Sequence, residues 1–419
     1  MSTQSDSVRP RVLIIVQNLP VPFDRRVWLE CQALNEAGYE VHVVCPKGPG
    51  DPTHERLEGV FLHKYRTTAP GSGVLGYLME YSWSLLMTGW LTAGAFRSGR
   101  FDAIQSCNPP DIFWVLGAGF GALTGSRYVF DQHDLCPELF DSRFEGGSRI
   151  VAKLLRALER RNYRTADRVI ATNESYARVA VGRGGKRPRD VTVVRTGPNA
   201  DALRRHAPRP ERKRGRRHLA AYIGVMGPQD GVDYVIRAAD FIVHEMGRTD
   251  ISFTLMGSGD CFDDLVALRD QLGLADYVEF TGRVPDDVVA DVLSTADVGL
   301  SPDPKNPLND VSTMNKTLEY MAFELPVVAF DLRETRVSAG PAAIYAEPNR
   351  VDAYARAIVE LLDDEPRRAQ MGAIGRRRIE DELAWKHQRT HYVRLYDSLL
   401  GRRTAAEIVP PVAAAVGGD

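Results

Sequence analysis

The chain has 419 residues, of which 44% are hydrophobic and 26% charged, the balance of a globular protein with room for two or three domains. Its formal net charge is −2 and its pI is near 6.5, which excludes a general electrostatic attraction for nucleic acid. Five scattered cysteines without a C-x-x-C pair exclude a zinc ribbon and a disulfide framework, and the polar start MSTQSDSVRP does not read as a secretory signal, so a reduced, cytoplasmic protein is expected.

RVLIIVQ (Arg11 to Gln17) reads as a strand buried on both faces. Asp24 caps the expected next helix, in which Val27, Cys31 and Leu34 share a face and which Gly38 ends. VHVVCP and VFLHKY follow as strands. From Gly71 to Phe96 the chain is nearly all apolar or small, with Glu80 as its only charge. About 20 apolar residues suffice to span a bilayer, but Glu80, Ser82, Ser84 and Thr88 interrupt the run. The reading preferred is a helix buried between a sheet and its neighbours; a helix resting on a membrane surface stays open. FDAIQSC, RYVFDQHD, RVIATN and VTVVRTG complete a β–α series whose period predicts a parallel, doubly wound sheet.

ALRRHAPRPERKRGRRH (202–218) lacks apolar periodicity and reads as a solvated linker. The rhythm restarts with LAAYIGV, SFTLMG, VEFTG, VGLSP, PVVAF and AIYAE. A closing helix over 384–400 carries Trp385, Tyr392, Leu395 and Tyr396, and the tail 401–419 is expected to be disordered. The expectation is two Rossmann-like domains, 1–201 and 219–383, joined by the linker and facing a cleft lined by strand C-termini.

Four places offer chemistry. The first strand ends in QNLPVPFDRR, without G-x-G-x-x-G, so a nicotinamide enzyme loses its main support. That loop instead presents Asn18, Asp24, Arg25 and Arg26, equally readable as a cap plus surface charge. YIGVMGPQDGVD places Gly224, Met226, Gly227 and Gly231 where a glycine turn lets backbone amides approach a phosphate. In SPDPKNPLNDVSTMNKTLEYMAFELPVVAFD, Lys316 and Glu319 share one helical face, a cation for a diphosphate and a carboxylate for hydroxyls, or an ordinary salt bridge. VFDQHD groups Asp131, His133 and Asp134 at a strand end, where His133 offers a hydrogen bond to a sugar hydroxyl or is merely held by the carboxylates. No two aspartates are separated by a single residue, so the D-x-D pattern that holds a metal is missing.

PVPFDRRVWLECQAL, NPPD, VFDQHD, YIGVMGPQDGVDYVIRA, LMGSGD, VEFTGRVP and NKTLEYMAFELPVVAFD together resemble the retaining glycosyltransferases of family 4, of GT-B fold. The resemblance is strongest to enzymes of bacterial O-antigen, capsule and exopolysaccharide assembly. It implies a nucleotide-diphospho-sugar co-substrate on the second domain, an acceptor on the first, no cofactor, and a closing helix that returns to the first domain. Catalytic roles fall to His133, Lys316 and Glu319, the last matching the second glutamate of the family's E-x7-E motif. Gly224, Met226, Gly227, Arg283, Asp310, Lys316 and Glu319 would bind the donor, and Asn18, Asp24, Arg25 and Arg26 would lie on the acceptor side. The pattern is broken at Val311, where the motif's first glutamate would stand, at Val225 and Asp230, where the glycine loop carries cations, and at Glu324, where relatives have glycine. A lipid-linked glycan acceptor met at the inner membrane face follows from the resemblance, with residues 71–96 as the contact. Another GT-B enzyme, such as a nucleotide-sugar epimerase, or an inactive sugar-nucleotide-binding scaffold would share these features.

Overall fold

A computed structural model describes residues 9–67, 73–143 and 148–402 and divides the chain into two compact units. The first comprises Met1–Pro137, Ser148–Val194 and Arg389–Asp419; the second comprises Glu138–Gly147 and Arg195–Gln388.

The first unit holds β1 (Arg11–Ile15), β2 (Glu40–Pro46), β3 (His54–Leu57), β4 (Val60–Tyr65), β5 (Ala103–Cys107), β6 (Arg127–Gln132), β7 (Arg168–Ala171) and β8 (Val191–Val193). Their order in the sheet is β3-β4-β2-β1-β5-β6-β7-β8, parallel except for the antiparallel β3–β4 pair. Every residue of β1 and β5 is buried, because helices cover both faces and only apolar or fully bonded side chains fit there. Strand order reverses between β1 and β5, and a doubly wound sheet opens a crevice at the C-terminal ends of such a pair.

The second unit holds β9 (His218–Ile223), β10 (Ile251–Met256), β11 (Val278–Gly282), β12 (Val298–Ser301), β13 (Val327–Phe330) and β14 (Ala343–Ala346), all parallel, in the order β11-β10-β9-β12-β13-β14. Alternate residues feed two cores. Ala220, Tyr222, Val328 and Phe330 join one face, and Leu219, Ala221, Val327 and Ala329 the other. The reversal here falls between β9 and β12, so the glycine turn after β9 and the SPDP loop after β12 share one edge.

Two expectations are corrected. Residues 202–217 are largely exposed, as expected, but they are no free linker, because the segment is bonded onto the second unit. The His206 amide donates to Ser294 Oγ, the Arg209 amide to Thr295 Oγ1, and Lys213 Nζ lies 2.8 Å from Asp297 Oδ2. The arginines thus meet acidic and hydroxyl partners on the Asp286–Thr295 helix and the residues beyond it, and the unit boundary falls at Arg195 rather than after 201. The 71–96 segment, of which residues 71 and 72 lie outside the described residues, forms the Gly73–Phe96 helix. It is not buried on all sides: Ser84, Thr88 and Thr92 point inward, whereas Leu86 is 70% and Trp90 66% exposed. The tail from Arg403 onward lies outside the described residues.

Candidate functional site

In the first unit the Arg25–Glu36 helix begins at Asp24, whose Oδ1 accepts the Val27 amide. This capping fixes the helix so that Arg26 and Glu30, one turn apart, face inward onto β5 and β6. Arg26 Nε lies 3.1 Å from His133 Nε2, its Nη2 3.2 Å from Asp131 Oδ1, and its Nη1 donates to the Val194 carbonyl. Gln105, in the middle of β5, donates to Glu30 Oε2 and Asp131 Oδ2 and accepts from the hydroxyls of Tyr392 and Tyr396 on the Trp385–Leu399 helix. The Asn108 side chain takes the amides of His133 and Asp134, which sets the strand-end turn that presents the histidine.

The electrostatics follow from burial against pairing. Burial works against the His133 imidazolium, but Asp131, 2.9 Å from Nε2, overrides it and raises the pKa. Burial likewise opposes the Asp131 charge, and His133 and Arg26 hold it well below the usual carboxylate range. Burial first, and then the charge of Asp131, push Glu30 up to about 8. Cys107, Asp131 and His133 bring three ligating atoms within 4.8 Å of one another. The Arg26 guanidinium already touches two of those three residues, so a metal ion there would face a fixed positive charge.

In the second unit, Lys316 stands at the start of the Asn315–Ala322 helix and is buried. Its Nζ lies 2.5 Å from Asp303 Oδ1 and 3.7 Å from Asp230 Oδ1, over the Tyr222 ring. Burial opposes the ammonium, and the two aspartates outweigh it, so the pKa is raised. Gly224 makes room for the cluster: a Cβ there would stand 2.9 Å from the Tyr222 hydroxyl and 3.3 Å from Lys316 Cε. A Cβ on Gly257 would strike the Gly224 carbonyl at 1.8 Å, so the glycine turn and the LMGSGD loop cross in backbone contact.

The expected site residues divide accordingly. His133, Asp131 and Arg26 gather in the first unit, and Gly224, Gly227 and Lys316 in the second. Arg26 is not an open acceptor-side cation: it is buried with its donors engaged, whereas Asn18 and Arg25 are exposed beside it in sequence. Met226 is core rather than donor contact, with its amide given to the Ser258 carbonyl. Asp310 Oδ1 accepts the Arg333 amide at the start of the Arg333–Ala339 helix, a capping role. Arg283 is exposed just past β11, and Glu319 is half-buried. Lys316 forms its ion pairs with Asp303 and Asp230, not with Glu319. Sequence reasoning missed Glu30, Gln105 and Asp303. The signal for the first was present, since positions 26, 27, 30, 31 and 34 form one helical stripe that includes two charges.

Two parallel-sheet α/β units, each with polar clusters at strand C-terminal ends, define the GT-B class of sugar-transferring folds. Residues 24–197 match the family model described as a glycosyl transferase 4-like domain, and residues 217–364 the model described as glycosyl transferases group 1, so the chain carries a match to each in series. It is 25% identical over 333 residues to D-inositol 3-phosphate glycosyltransferase of Thermobispora bispora, covering 74% of each chain. It is 27% identical to 2-deoxystreptamine glucosyltransferase of Streptomyces kanamyceticus, covering 69% of this chain and 76% of that one. Among solved structures it resembles sucrose-phosphate synthase from Thermosynechococcus elongatus, with a TM-score of 0.75, 18% identity, and coverage of 94% and 100%. Anabaena HepE in complex with UDP gives a TM-score of 0.68 at 14% identity, with coverage of 93% and 100%.

Proposed function

We propose that the chain is a retaining, metal-independent glycosyltransferase that moves a sugar from a nucleotide-diphospho-sugar held by the second unit to an acceptor held by the first. The observation that carries this reading is Lys316. It is a buried ammonium at the switch point of the second sheet, beside a glycine turn shaped by Gly224 and Gly257. A cation fixed there stabilises the charge that grows on a leaving diphosphate, and such preorganised stabilisation is usually the largest catalytic contribution. Glu319, on the same helix, serves the ribose, and the leaving phosphate itself helps to deprotonate the incoming hydroxyl. His133, oriented through Asn108 and held by Asp131, hydrogen-bonds a sugar hydroxyl. Similar proteins support the substrate class: HepE is described in complex with UDP, and a relative in Mycolicibacterium smegmatis, 31% identical over 227 residues, is a GDP-mannose-dependent alpha-(1-6)-phosphatidylinositol monomannoside mannosyltransferase.

A lipid-linked acceptor of cell-surface polysaccharide assembly, met at the membrane face, completes the proposal. The Gly73–Phe96 helix supports it, because its hydroxyl stripe faces inward and Met79, Trp83, Leu86 and Trp90 face out. The Arg149–Thr165 helix adds charge: Arg149, Lys153, Arg156, Arg160, Arg161 and Arg164 are all exposed, and its one acid, Glu159, is buried. Among the described residues no helix is long and apolar enough to cross a membrane. Screening nucleotide sugars by thermal shift, and then by hydrolysis without acceptor, tests the donor assignment. A chain that no nucleotide sugar stabilises would speak for the scaffold alternative.

A further inference from the structure

The glycine turn after β9 is filled by the protein's own carboxylate. Asp230 ends the short Pro228–Asp230 turn, and its Oδ2 accepts the Gly227 amide at 3.1 Å while its Oδ1 stands 3.7 Å from Lys316 Nζ. An amide and an ammonium converging on one carboxylate make the arrangement that would otherwise receive a phosphate oxygen. The backbone beneath is fixed. Gly231 has φ +65°, and a Cβ there would lie 2.4 Å from the Pro302 carbonyl, so only the Asp230 side chain is free to turn away. Asp303, buried and 2.5 Å from the same ammonium, cannot leave as easily, being also bonded to Ser301 Oγ. Two carboxylates thus face one lysine, with the Arg143 charge also acting on Asp230, before any diphosphate arrives.

We propose that Asp230 occupies the anion position of this turn and, as an internal competitor, sets how tightly the chain holds a nucleoside diphosphate. The inference rests on the donor-site reading above. It makes Asp230 a specificity-determining residue: the diphosphate must displace the carboxylate from Lys316 and the Gly227 amide, so weak anions are excluded. Burial, opposed by Lys316 and reinforced by Asp303, pushes the Asp230 carboxyl above the ordinary range, which lowers the cost of that displacement.

The test is calorimetric titration of the full chain with UDP, GDP and ADP in wild type, Asp230→Asn and Lys316→Met. Asparagine keeps an oxygen for the Gly227 amide and removes only the charge. Tighter binding of at least one nucleotide by D230N, by about fivefold or more, with binding lost in K316M and melting of D230N unchanged, is the expected result. Equal or weaker binding in D230N, with K316M still abolishing it, overturns the competitor role and leaves the donor site standing. Binding in K316M equal to wild type, or no binding in any of the three proteins, overturns both. Asp230→Ala separates a purely structural role, which would lower melting and leave affinity unchanged.

Discussion

At the scale of single residues, the two units use charge in opposite ways. Lys316 is an ammonium kept ready by two carboxylates, and a charge-assisted contact in a closed pocket is worth about 1.5–3 kcal/mol. Lys316→Ala is therefore expected to reduce kcat/KM at least about tenfold, with the loss visible in kcat, because phosphate charge grows toward the transition state. Glu319→Gln is expected to raise the donor KM and leave kcat near wild type, since a ribose contact changes little during reaction. Steady-state kinetics on both variants, with melting as a control for folding, check the split. In the first unit, Glu30 is an acid with its pKa raised to about 8 in the fold. The folded state then holds a proton that the unfolded chain has released. Stability is complete below the ordinary glutamate range and falls as pH rises from about 5 to 8, by at most about 1.4 kcal/mol per unit. His133, also raised, adds to the same fall, whereas Asp131, held low, contributes stability that is lost on acidification below its ordinary range. Glu30→Gln should flatten much of the alkaline decline in denaturant melts taken across that window; an unchanged slope would show that Glu30 is not its source.

At the scale of elements, the parallel strands were legible because burial on both faces demands unbroken runs such as RVLII and VVAF, which no other local structure favours as strongly. The edge strand HERL was not legible: it is short, polar and exposed at alternate positions, and among the described residues it pairs with β4 alone. Helical spacing suggested Lys316 with Glu319 as an i, i+3 pair. Tertiary structure overrides this, because the buried Asp303 carboxylate requires a counter-charge and Lys316 is the one that reaches it. Glu324, unexplained as a sequence feature, now has a physical account. It follows the Asn315–Ala322 helix at φ +57°, in the left-handed region that costs a side-chain-bearing residue about 1 kcal/mol and that glycine adopts freely. Glu324→Gly is expected to raise stability by up to about 1 kcal/mol, less the extra freedom it gives the unfolded chain, as read from denaturant midpoints. The Gly73–Phe96 helix carries its own prediction. Replacing Leu86 and Trp90 by serine should reduce sedimentation with anionic vesicles several-fold and leave melting unchanged, because both side chains are exposed. Unaltered sedimentation would remove this helix from the membrane proposal.

At the scale of the whole molecule, composition and the β–α period already specified two doubly wound sheets, and the glycine turn and NKTLE segment marked where the second one holds its cluster. What sequence left open was which charges meet. Arg26 and Asp24 stood among acceptor-side residues until burial and capping showed them supporting His133 and the helix start. The proposed metal independence is argued from Arg26, whose guanidinium sits beside Asp131 and His133 of the Cys107, Asp131 and His133 cluster, together with the missing D-x-D pair. The most direct measurement is release of nucleoside diphosphate from a panel of nucleotide sugars, by wild type and Lys316→Ala, each with and without a chelator. The account predicts that wild type releases the diphosphate from at least one donor, that the chelator leaves the rate unchanged, and that Lys316→Ala loses at least about tenfold. Release that stops with chelator and returns with manganese, or release undiminished in Lys316→Ala, would contradict it.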